Sequence, residues 1–337
     1  MGGGGKDRRK WYIAGAICVI VALAVLFTVL VAHYFYPQRG EEPVRVVIEE
    51  GESASQIAAK LHENKVITSA TIFRFLSWLQ RRQDDFKAGT YIFNSGMHYG
   101  EVFALLEAGP NHQVRVTIPE GLTVEQTAAR VAEVMGFSEE EFMAVATIGG
   151  FDVDFIPEGN RDNLEGFLFP KTYDFQADTP AQEVVKVLLR QFEAETSGLD
   201  WTRAEELGLT PYQVVIAASI IEREVVLPEE RPLVAAVILN RLRTDMLLQM
   251  DATVQYALPE WKDVLTYEDL QTPSPYNTYL HGGLPPAPIC NPGLASIQAV
   301  LEPAEVDYLY YVATGDGGHF FTSDYDEFLR VKQEVQR

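Results

Sequence analysis

The chain has 337 residues, enough for about two domains, and 47% of them are hydrophobic, so it can bury a sizeable core. Its formal net charge of −21, from 48 acidic and 27 basic residues, excludes nucleic acid as a partner, because phosphate binding requires a basic face. The two cysteines form no disulfide framework, since Cys18 lies in an apolar N-terminal run and Cys290 does not. The six histidines show no metal-ligand spacing, so we expect neither a metal nor a cofactor.

The N-terminus has the pattern of a membrane anchor. Four basic residues precede an uncharged run over 11–32, which is long enough to cross a bilayer as a helix. The sequence predicts a cytoplasmic tail over 1–10, a transmembrane helix over 11–33, a linker over 34–43 and the rest of the chain outside the cell membrane. A cleaved signal peptide is the alternative, but small residues would follow its shorter core, whereas His33 and bulky aromatic residues follow this run.

The segment 44–110 is typical of a small β-α-α-β module. VVIEEGESASQIAAKL (46–61) predicts a strand, a glycine turn and a helix. A second amphipathic helix follows around 72–80, and 89–109 repeats the order of strand, glycine and helix. The module is similar to LysM-type glycan-binding modules, with a further helix after it. A spacer domain without a ligand fits the same pattern equally well.

The segment 116–131 repeats 46–61 at a fixed offset, and we interpret it as a reused supersecondary unit. The matching positions are Ile48, Glu50, Gly51, Gln56, Ala58 and Ala59 in the first copy and Ile118, Glu120, Gly121, Gln126, Ala128 and Ala129 in the second. Further along, the sequence predicts a strand-like stretch over 164–175, helices over 181–195 and 231–243, a proline- and glycine-rich loop over 272–293, strands over 308–313 and 319–322, and a last helix over 325–335.

The stretch 210–225, TPYQVVIAASIIEREV, predicts a helix with a marked start. Thr210 and Gln213 form a capping-box pattern, and Pro211 occupies the first helical position. The helix is apolar nearly all round, so we expect it to be buried. Its Glu222 lies among small and apolar side chains, which should raise the pKa of the carboxyl as a general acid requires. A structural pairing with a nearby arginine is the alternative role for Glu222, and Glu224 is a rival for the role of acid.

Several motifs resemble those of the endolytic murein transglycosylases, the MltG or YceG-like family. They cover nearly the whole chain in the family's order. The motifs are TIPEG (117–121), LEGFLFPKTY (164–173), ASIIERE (218–224), ILNRL (238–242), LQMDATVQYAL (248–258), SPYNTYLHGGLPPAPICNPG (274–293) and YLYYVATGDGGHFFT (308–322). One departure is Asp251-Ala252, where the family pattern has Asp-Pro.

The resemblance implies an α+β enzyme at the bacterial inner membrane, with a transmembrane helix, the LysM-like module and a catalytic domain over 111–337 that carries a lysozyme-like catalytic helix. It would cleave the β-1,4 bond between MurNAc and GlcNAc inside nascent glycan strands, leave 1,6-anhydro-MurNAc ends, and work beside cell-wall synthases. The family's catalytic glutamate is assigned to Glu222. The expected cleft-lining residues are Gln249, Asp251, Tyr256, Asn277, Tyr279 and Asn291, for each of which loop packing is an equally good reading.

A lytic transglycosylase can use one carboxyl group where ordinary glycosidases use two. Glu222 would protonate the glycosidic oxygen and then accept the proton of the sugar's own C6 hydroxyl, which closes the anhydro ring. Two other functions stay open at this stage. One is a two-carboxylate muramidase with Glu222 as acid and Asp251 as its partner, and the other is a non-catalytic, membrane-anchored glycan-binding scaffold.

Overall fold

We describe the chain from a computed structural model, which covers residues 5–35 and 43–335 except 149, 152, 161 and 263. Parts of the predicted tail over 1–10 and linker over 34–43 lie outside the described residues. Two compact units are present. The N-terminal unit comprises Met1–Val114 and Gln176–Asp178, and the C-terminal unit comprises Arg115–Phe175 and Thr179–Arg337. The mixture of helices and small antiparallel sheets confirms the predicted α+β character.

The N-terminal unit pairs two antiparallel strands from Pro43↔Asn94 to Ile48↔Gly89, and helices lie between and after them in the chain. Its core is aromatic and aliphatic, with Phe73, Phe93 and Phe103 fully buried. The elements are α1 (Gly5–Phe35), β1 (Pro43–Ile48), α2 (Ala54–Glu63), α3 (Ala70–Leu79), β2 (Gly89–Asn94) and α4 (Tyr99–Ala108).

The prediction of a transmembrane helix over 11–33 is wrong for this structure. Crossing the hydrocarbon core of a bilayer takes about 20 consecutive apolar residues in a helix. No helix among the described residues combines that length with that apolar character. The predicted single-pass location in the inner membrane, with the lipid bilayer as a partner, rested on this helix and is therefore not supported either.

The C-terminal unit contains most of the helices. The β3 and β4 strands form one two-stranded sheet, and β5 and β6 form an antiparallel pair from Tyr310↔Thr322 to Ala313↔His319. The elements are β3 (Gln113–Thr117), α5 (Val124–Ala132), α6 (Glu139–Ile148), β4 (Thr172–Gln176), α7 (Ala181–Thr196), α8 (Thr202–Glu206), α9 (Pro211–Glu224), α10 (Arg231–Arg243), α11 (Asp251–Ala257), α12 (Leu294–Leu301), β5 (Tyr310–Ala313), β6 (His319–Thr322) and α13 (Tyr325–Val335).

The repeat found in the sequence has a structural counterpart at the starts of α2 and α5. Gly51 and Gly121 both adopt left-handed backbone, with φ of 82° and 81°. Both helices then begin with a capping box, made by Ser53 and Gln56 in α2 and by the equivalent Thr–Gln pair in α5. The same local sequence therefore builds the same strand-turn-helix start in each unit.

Helix α9 is the buried centre of the C-terminal unit. Thr210 Oγ accepts the Gln213 N–H at 3.2 Å, and Gln213 Oε1 accepts the Thr210 N–H at 2.9 Å, which confirms the predicted capping box. Residues 214–221 are all buried, because α10, α11 and α12 pack around the helix. Such burial on every side removes the exposed face that a surface helix would have.

Part of the predicted strand over 164–175 is instead a turn-rich segment, and β4 begins at Thr172. Gly166 interrupts the extended backbone with a φ of 93°, and its Cα lies against Pro288. A Cβ on Gly166 would lie 2.6 Å from Pro288 Cγ and 3.0 Å from Val215 Cγ1. This position therefore requires glycine for both its conformation and its close packing.

We expect Gly166→Ala to lower the free energy of unfolding by roughly 2–5 kcal/mol, since it adds left-handed strain to an overpacked contact. Urea unfolding followed by circular dichroism measures the change. Gly198→Ala is the matched control, because Gly198 is exposed and a Cβ there meets no atom within 4 Å. Equal stability of the two variants would contradict the packing argument.

Candidate active site

The end of α9, the start of α11 and the β5–β6 pair surround a cavity of about 460 Å³ in the C-terminal unit. Glu224 and Asp251 line it as carboxylates, and Tyr279, Tyr311 and His319 line it as ring side chains. Three of the six residues expected in the cleft lie on this cavity, namely Gln249, Asp251 and Tyr279. The acid on this cavity is Glu224.

Glu224 is the last residue of α9 and keeps partial solvent exposure at the cavity. Its carboxylate accepts two hydrogen bonds, from the Ala252 N–H at 3.2 Å and from the Tyr311 hydroxyl at 3.0 Å. Removal from water raises the pKa of Glu224 above its usual range, Asp251 adds to that rise, and the two hydrogen bonds oppose it. A carboxyl group with a raised pKa beside an accessible cavity holds its proton to higher pH than an ordinary carboxyl group and can deliver it to a substrate.

Asp251 is the exposed first residue of α11 and accepts a hydrogen bond from the Tyr279 hydroxyl at 2.6 Å. Burial, followed by this bond to Asp251, raises the pKa of Tyr279, so its hydroxyl stays a donor. Gln249, two residues earlier, has left-handed backbone with a φ of 49°, unusual outside glycine. Its N–H donates to the Thr278 carbonyl at 3.1 Å, which holds this strained residue at the cavity.

The far wall of the cavity is fixed by a histidine–carboxylate pair. The His319 N–H donates to Glu230 Oε1 at 2.8 Å, and its Nδ1 lies 2.6 Å from Glu230 Oε2. The His319 ring meets Tyr311 edge to face, with centroids 5.1 Å apart. His319 therefore supports the tyrosine that donates to Glu224, which is a positioning role.

Glu222, the residue to which the family resemblance assigned the acid, lies in different surroundings. Its Oε2 accepts the Gly293 N–H at 2.9 Å and the Ser296 hydroxyl at 2.7 Å, at the start of α12. Arg231 approaches its other oxygen at 3.9 Å. Glu222 is not among the lining residues of the Glu224 cavity. These contacts realise the structural pairing with arginine that the sequence left open.

The Glu120 carboxyl group also lies by Gly293 and interacts with Glu222, so that Glu120, Glu222, Gly293 and Arg231 form one cluster. Burial and the neighbouring Glu222 raise the pKa of Glu120, while Arg231 opposes the rise. A Cβ on Gly293 would collide with the Glu120 carboxyl group, so the backbone of α12 approaches both acids closely. The cluster ties the β3–α5 connection to α9 and α12 inside the C-terminal unit.

Asn277 and Asn291, also expected in the cleft, are fully buried and hold loops. The Asn277 amide donates to the Leu270 and Thr272 carbonyls at 3.0 and 2.9 Å. Asn291 Oδ1 accepts the N–H groups of Gly166 and Leu168 at 3.1 and 2.9 Å. Tyr256 lines a different cavity of the same unit.

The sequence analysis missed Glu165, which accepts the Tyr256 hydroxyl at 3.2 Å and the Val124 N–H at 3.0 Å. Burial raises the pKa of Glu165 to about 8, and the two hydrogen bonds oppose that rise. It also missed the contact of Tyr311 with Glu224, because the two are 87 positions apart. The only signal for either residue was its place inside a long family-like motif.

Comparison with protein families gives one match over most of the chain. The sequence profile described as the YceG-like family matches residues 46–334. An endolytic murein transglycosylase of Bacillus subtilis (strain 168) is 32% identical over 308 residues, covering 86% of this chain and 84% of the relative. One of Streptococcus pneumoniae (strain ATCC BAA-255 / R6) is 28% identical over 313 residues, covering 84% of this chain and 56% of the relative.

The fold is similar to that of a solved relative. The crystal structure of a YceG-like protein from Listeria monocytogenes superposes with a TM-score of 0.59 at 31% sequence identity. The match covers 87% of this chain and all of that one.

The raised pKa of Glu165 predicts a pH-dependent stability. Its folded pKa of about 8 exceeds the ordinary 4.5, so the folded protein binds this proton more tightly than the unfolded chain does. The contribution is complete below pH 4.5 and is lost as the pH rises to about 8. Glu165→Gln stays neutral and can still accept the Val124 N–H. We therefore expect its free energy of unfolding to fall by a few kcal/mol less than that of the unmodified protein between pH 4.5 and about 8. Urea unfolding at several pH values in this window measures it.

Glu193→Gln is the control, because Glu193 is an exposed residue of α7. It should keep the slope of the unmodified protein. An unchanged slope in Glu165→Gln would show that Glu165 is ionised in the folded state.

Proposed function

The chain belongs to the YceG-like family, and on that premise we propose that it is an endolytic murein transglycosylase. It cleaves the β-1,4 bond between MurNAc and GlcNAc within glycan strands of peptidoglycan and leaves 1,6-anhydro-MurNAc ends. The observation that carries the proposal is the Glu224 carboxyl group, which has a raised pKa and lies on an accessible cavity beside Asp251 and Tyr279.

We assign the acid to Glu224 and give Glu222 a structural role. An acid must reach its substrate, and Glu224 lines the cavity, whereas the Glu222 carboxylate is engaged by the start of α12. Protonated Glu224 donates its proton to the glycosidic oxygen as the bond from C1 breaks. The C6 hydroxyl of the same sugar then attacks C1, and the Glu224 carboxylate takes up the hydroxyl proton. Atoms balance without water, and the acid is restored.

Asp251 supplies a second carboxylate that assists this reaction. The sugar becomes positively charged as its C1–O bond breaks, and a carboxylate on the same cavity stabilises that charge. The Tyr279 hydroxyl bonded to Asp251 holds the carboxylate in place. The arrangement supports binding of a glycan strand at this cavity.

A two-carboxylate muramidase is the second candidate, because Glu224 and Asp251 share one cavity. In that reaction Asp251 would activate water or act as a nucleophile, and the product would end in a reducing sugar. The chemical nature of the new ends distinguishes the two reactions. A non-catalytic glycan-binding scaffold predicts no new ends at all.

Two broader roles are proposed for the parts around the site. The β-α-α-β order of the N-terminal unit supports a LysM-like module that binds glycan, which shifts of its amide resonances on addition of strands would test. Since nascent strands leave a cell-wall synthase, such a synthase is the partner that this activity implies. Cross-linking in cells tests that pairing.

Replacing the acid should abolish cleavage. We expect Glu224→Gln to lower kcat/KM by about 10²–10⁴-fold, because Gln keeps the hydrogen-bonding shape but has no proton to give. Glu222→Gln is the matched variant from the same helical turn and should lose less than about tenfold. Mass spectrometry of purified glycan strands, digested with the full chain, counts the new 1,6-anhydro ends. A larger loss in Glu222→Gln would return the acid to Glu222, provided that both variants unfold at the same temperature as the parent.

The pH profile of cleavage should depend on Tyr311. Its hydroxyl donates to the Glu224 carboxylate and so lowers the pKa of that acid. Because a general acid is active when protonated, Tyr311→Phe should move the alkaline limb of kcat/KM to higher pH. Tyr310→Phe, a cavity residue whose ring lies by Arg241, is the control and should leave the limb in place. An unmoved limb in Tyr311→Phe would contradict this role of Tyr311.

A further inference from the structure

A second cavity of about 650 Å³ lies in the C-terminal unit, and the exposed Trp261 is on its wall. We propose that this cavity is a saccharide-binding subsite in which the Trp261 ring stacks against a sugar of the glycan strand, away from the bond that is cleaved. The inference rests on the proposed function, which supplies the substrate class.

Adjacent residues of α9, and likewise adjacent residues of α11, line the two cavities. On α9, Arg223 lines the second cavity and Glu224 lines the first. On α11, Ala252 lines the second cavity and Asp251 lines the first. Consecutive Cα atoms are about 3.8 Å apart, so at both helices the walls of the two cavities come from adjacent backbone positions.

Trp261 is held in place while its surface stays available. The Arg223 guanidinium carbon lies 4.4 Å from the centre of the indole ring, a cation–π contact, and Arg223 also donates to the Gly121 carbonyl at 3.3 Å. The next residue, Lys262, donates its N–H to Gln255 Oε1 of α11 at 3.1 Å. Trp261 nonetheless remains 57% exposed. A large aromatic ring that is fixed but uncovered suits stacking on the apolar face of a sugar.

The polar lining suits an uncharged, hydroxyl-rich ligand. Glu165 and Tyr256 form a hydrogen-bonded pair on this cavity, and the Glu165 carboxyl group holds its proton at neutral pH, so it can both donate and accept. Acidic residues such as Asp162 and Glu260 also line the cavity. Their negative charge disfavours free carboxylates, which favours the sugar backbone of peptidoglycan over its stem peptides.

An enzyme that cuts inside a strand needs contacts on sugars beyond the two that flank the broken bond. Where the binding of a remote sugar contributes equally to the ground state and the transition state, its loss raises KM and leaves kcat nearly unchanged. This signature separates a subsite residue from a residue that acts on the bond itself.

The first test measures binding by the cleavage-inactive Glu224→Gln full chain. The probe is an oligomer of β-1,4-linked GlcNAc, an uncharged stand-in for the sugar backbone of the strand, titrated calorimetrically. Adding Trp261→Ala should raise Kd by about three- to tenfold, Trp261→Phe should recover part of the affinity, and Tyr267→Ala should leave Kd unchanged. Tyr267 is the matched control, being a 91% exposed aromatic residue outside the cavity. Free stem peptide is the second probe. Its Kd should be the same with and without Trp261→Ala in the Glu224→Gln chain.

The second test measures kinetics with Glu224 intact, where Trp261→Ala should raise KM by a similar factor at nearly constant kcat. Equal Kd and KM in Trp261→Ala and Tyr267→Ala would overturn the subsite, even if cleavage itself is normal. A loss confined to stem-peptide binding would overturn the ligand class. If no variant cleaves strands but Trp261→Ala still weakens binding, the proposed activity fails while the subsite stands.

Discussion

Removal of the Glu224 carboxyl group from water is the constraint on which the candidate site depends. A carboxylate in such surroundings is unstable unless donors reach it, and here the donors are the Ala252 N–H and the Tyr311 hydroxyl. Each donor comes from a different element, α11 or β5, so the acid is tuned only when α9, α11 and the β5–β6 pair are assembled. The fold thus sets the proton affinity of the acid, and the acid in turn links the elements around it.

The proline-rich segment 272–293 is ordered because buried polar groups satisfy its backbone. Asn277 bonds two carbonyls within its own turn, and Asn291 bonds backbone groups of the connection between α6 and β4. The Ser219 hydroxyl, in the middle of α9, accepts the Ile289 N–H at 3.0 Å. A buried loop with unsatisfied amides would be costly, so these side chains are what allow an irregular segment to pack against a largely apolar helix.

The sequence was informative wherever local chemistry decides the structure. The capping box at Thr210, the glycine turns at 51 and 121, and the bounds of α10 all follow from short-range patterns. The choice between Glu222 and Glu224 does not. Residues that are two positions apart on a helix point about 200° apart around its axis. The Glu222 and Glu224 carboxylates therefore face nearly opposite sides. Because α9 is apolar nearly all round, no polar face shows which side meets a cavity. Which side meets a cavity depends on the packing of distant segments.

The same limit explains the amides. A sequence shows that Asn277 and Asn291 are polar residues in an apolar loop, which fits a ligand contact and a buried bond to the backbone equally well. Their partners are other parts of the folded chain, at separations up to 125 positions. The distinction between binding a substrate and satisfying a backbone therefore lies in burial, which a local pattern does not contain.

The last turn of α9 joins three sites through consecutive residues. Glu222 anchors the start of α12, Arg223 holds the Trp261 ring, and Glu224 presents the acid to its cavity. Because successive residues point about 100° apart, one rigid turn can serve three directions at once. A disturbance at the start of α12 would displace Glu222, and it would reach Glu224 through the helical turn that the two glutamates share. The Glu222 carboxylate therefore fixes the turn that carries Glu224, the acid of the proposed mechanism.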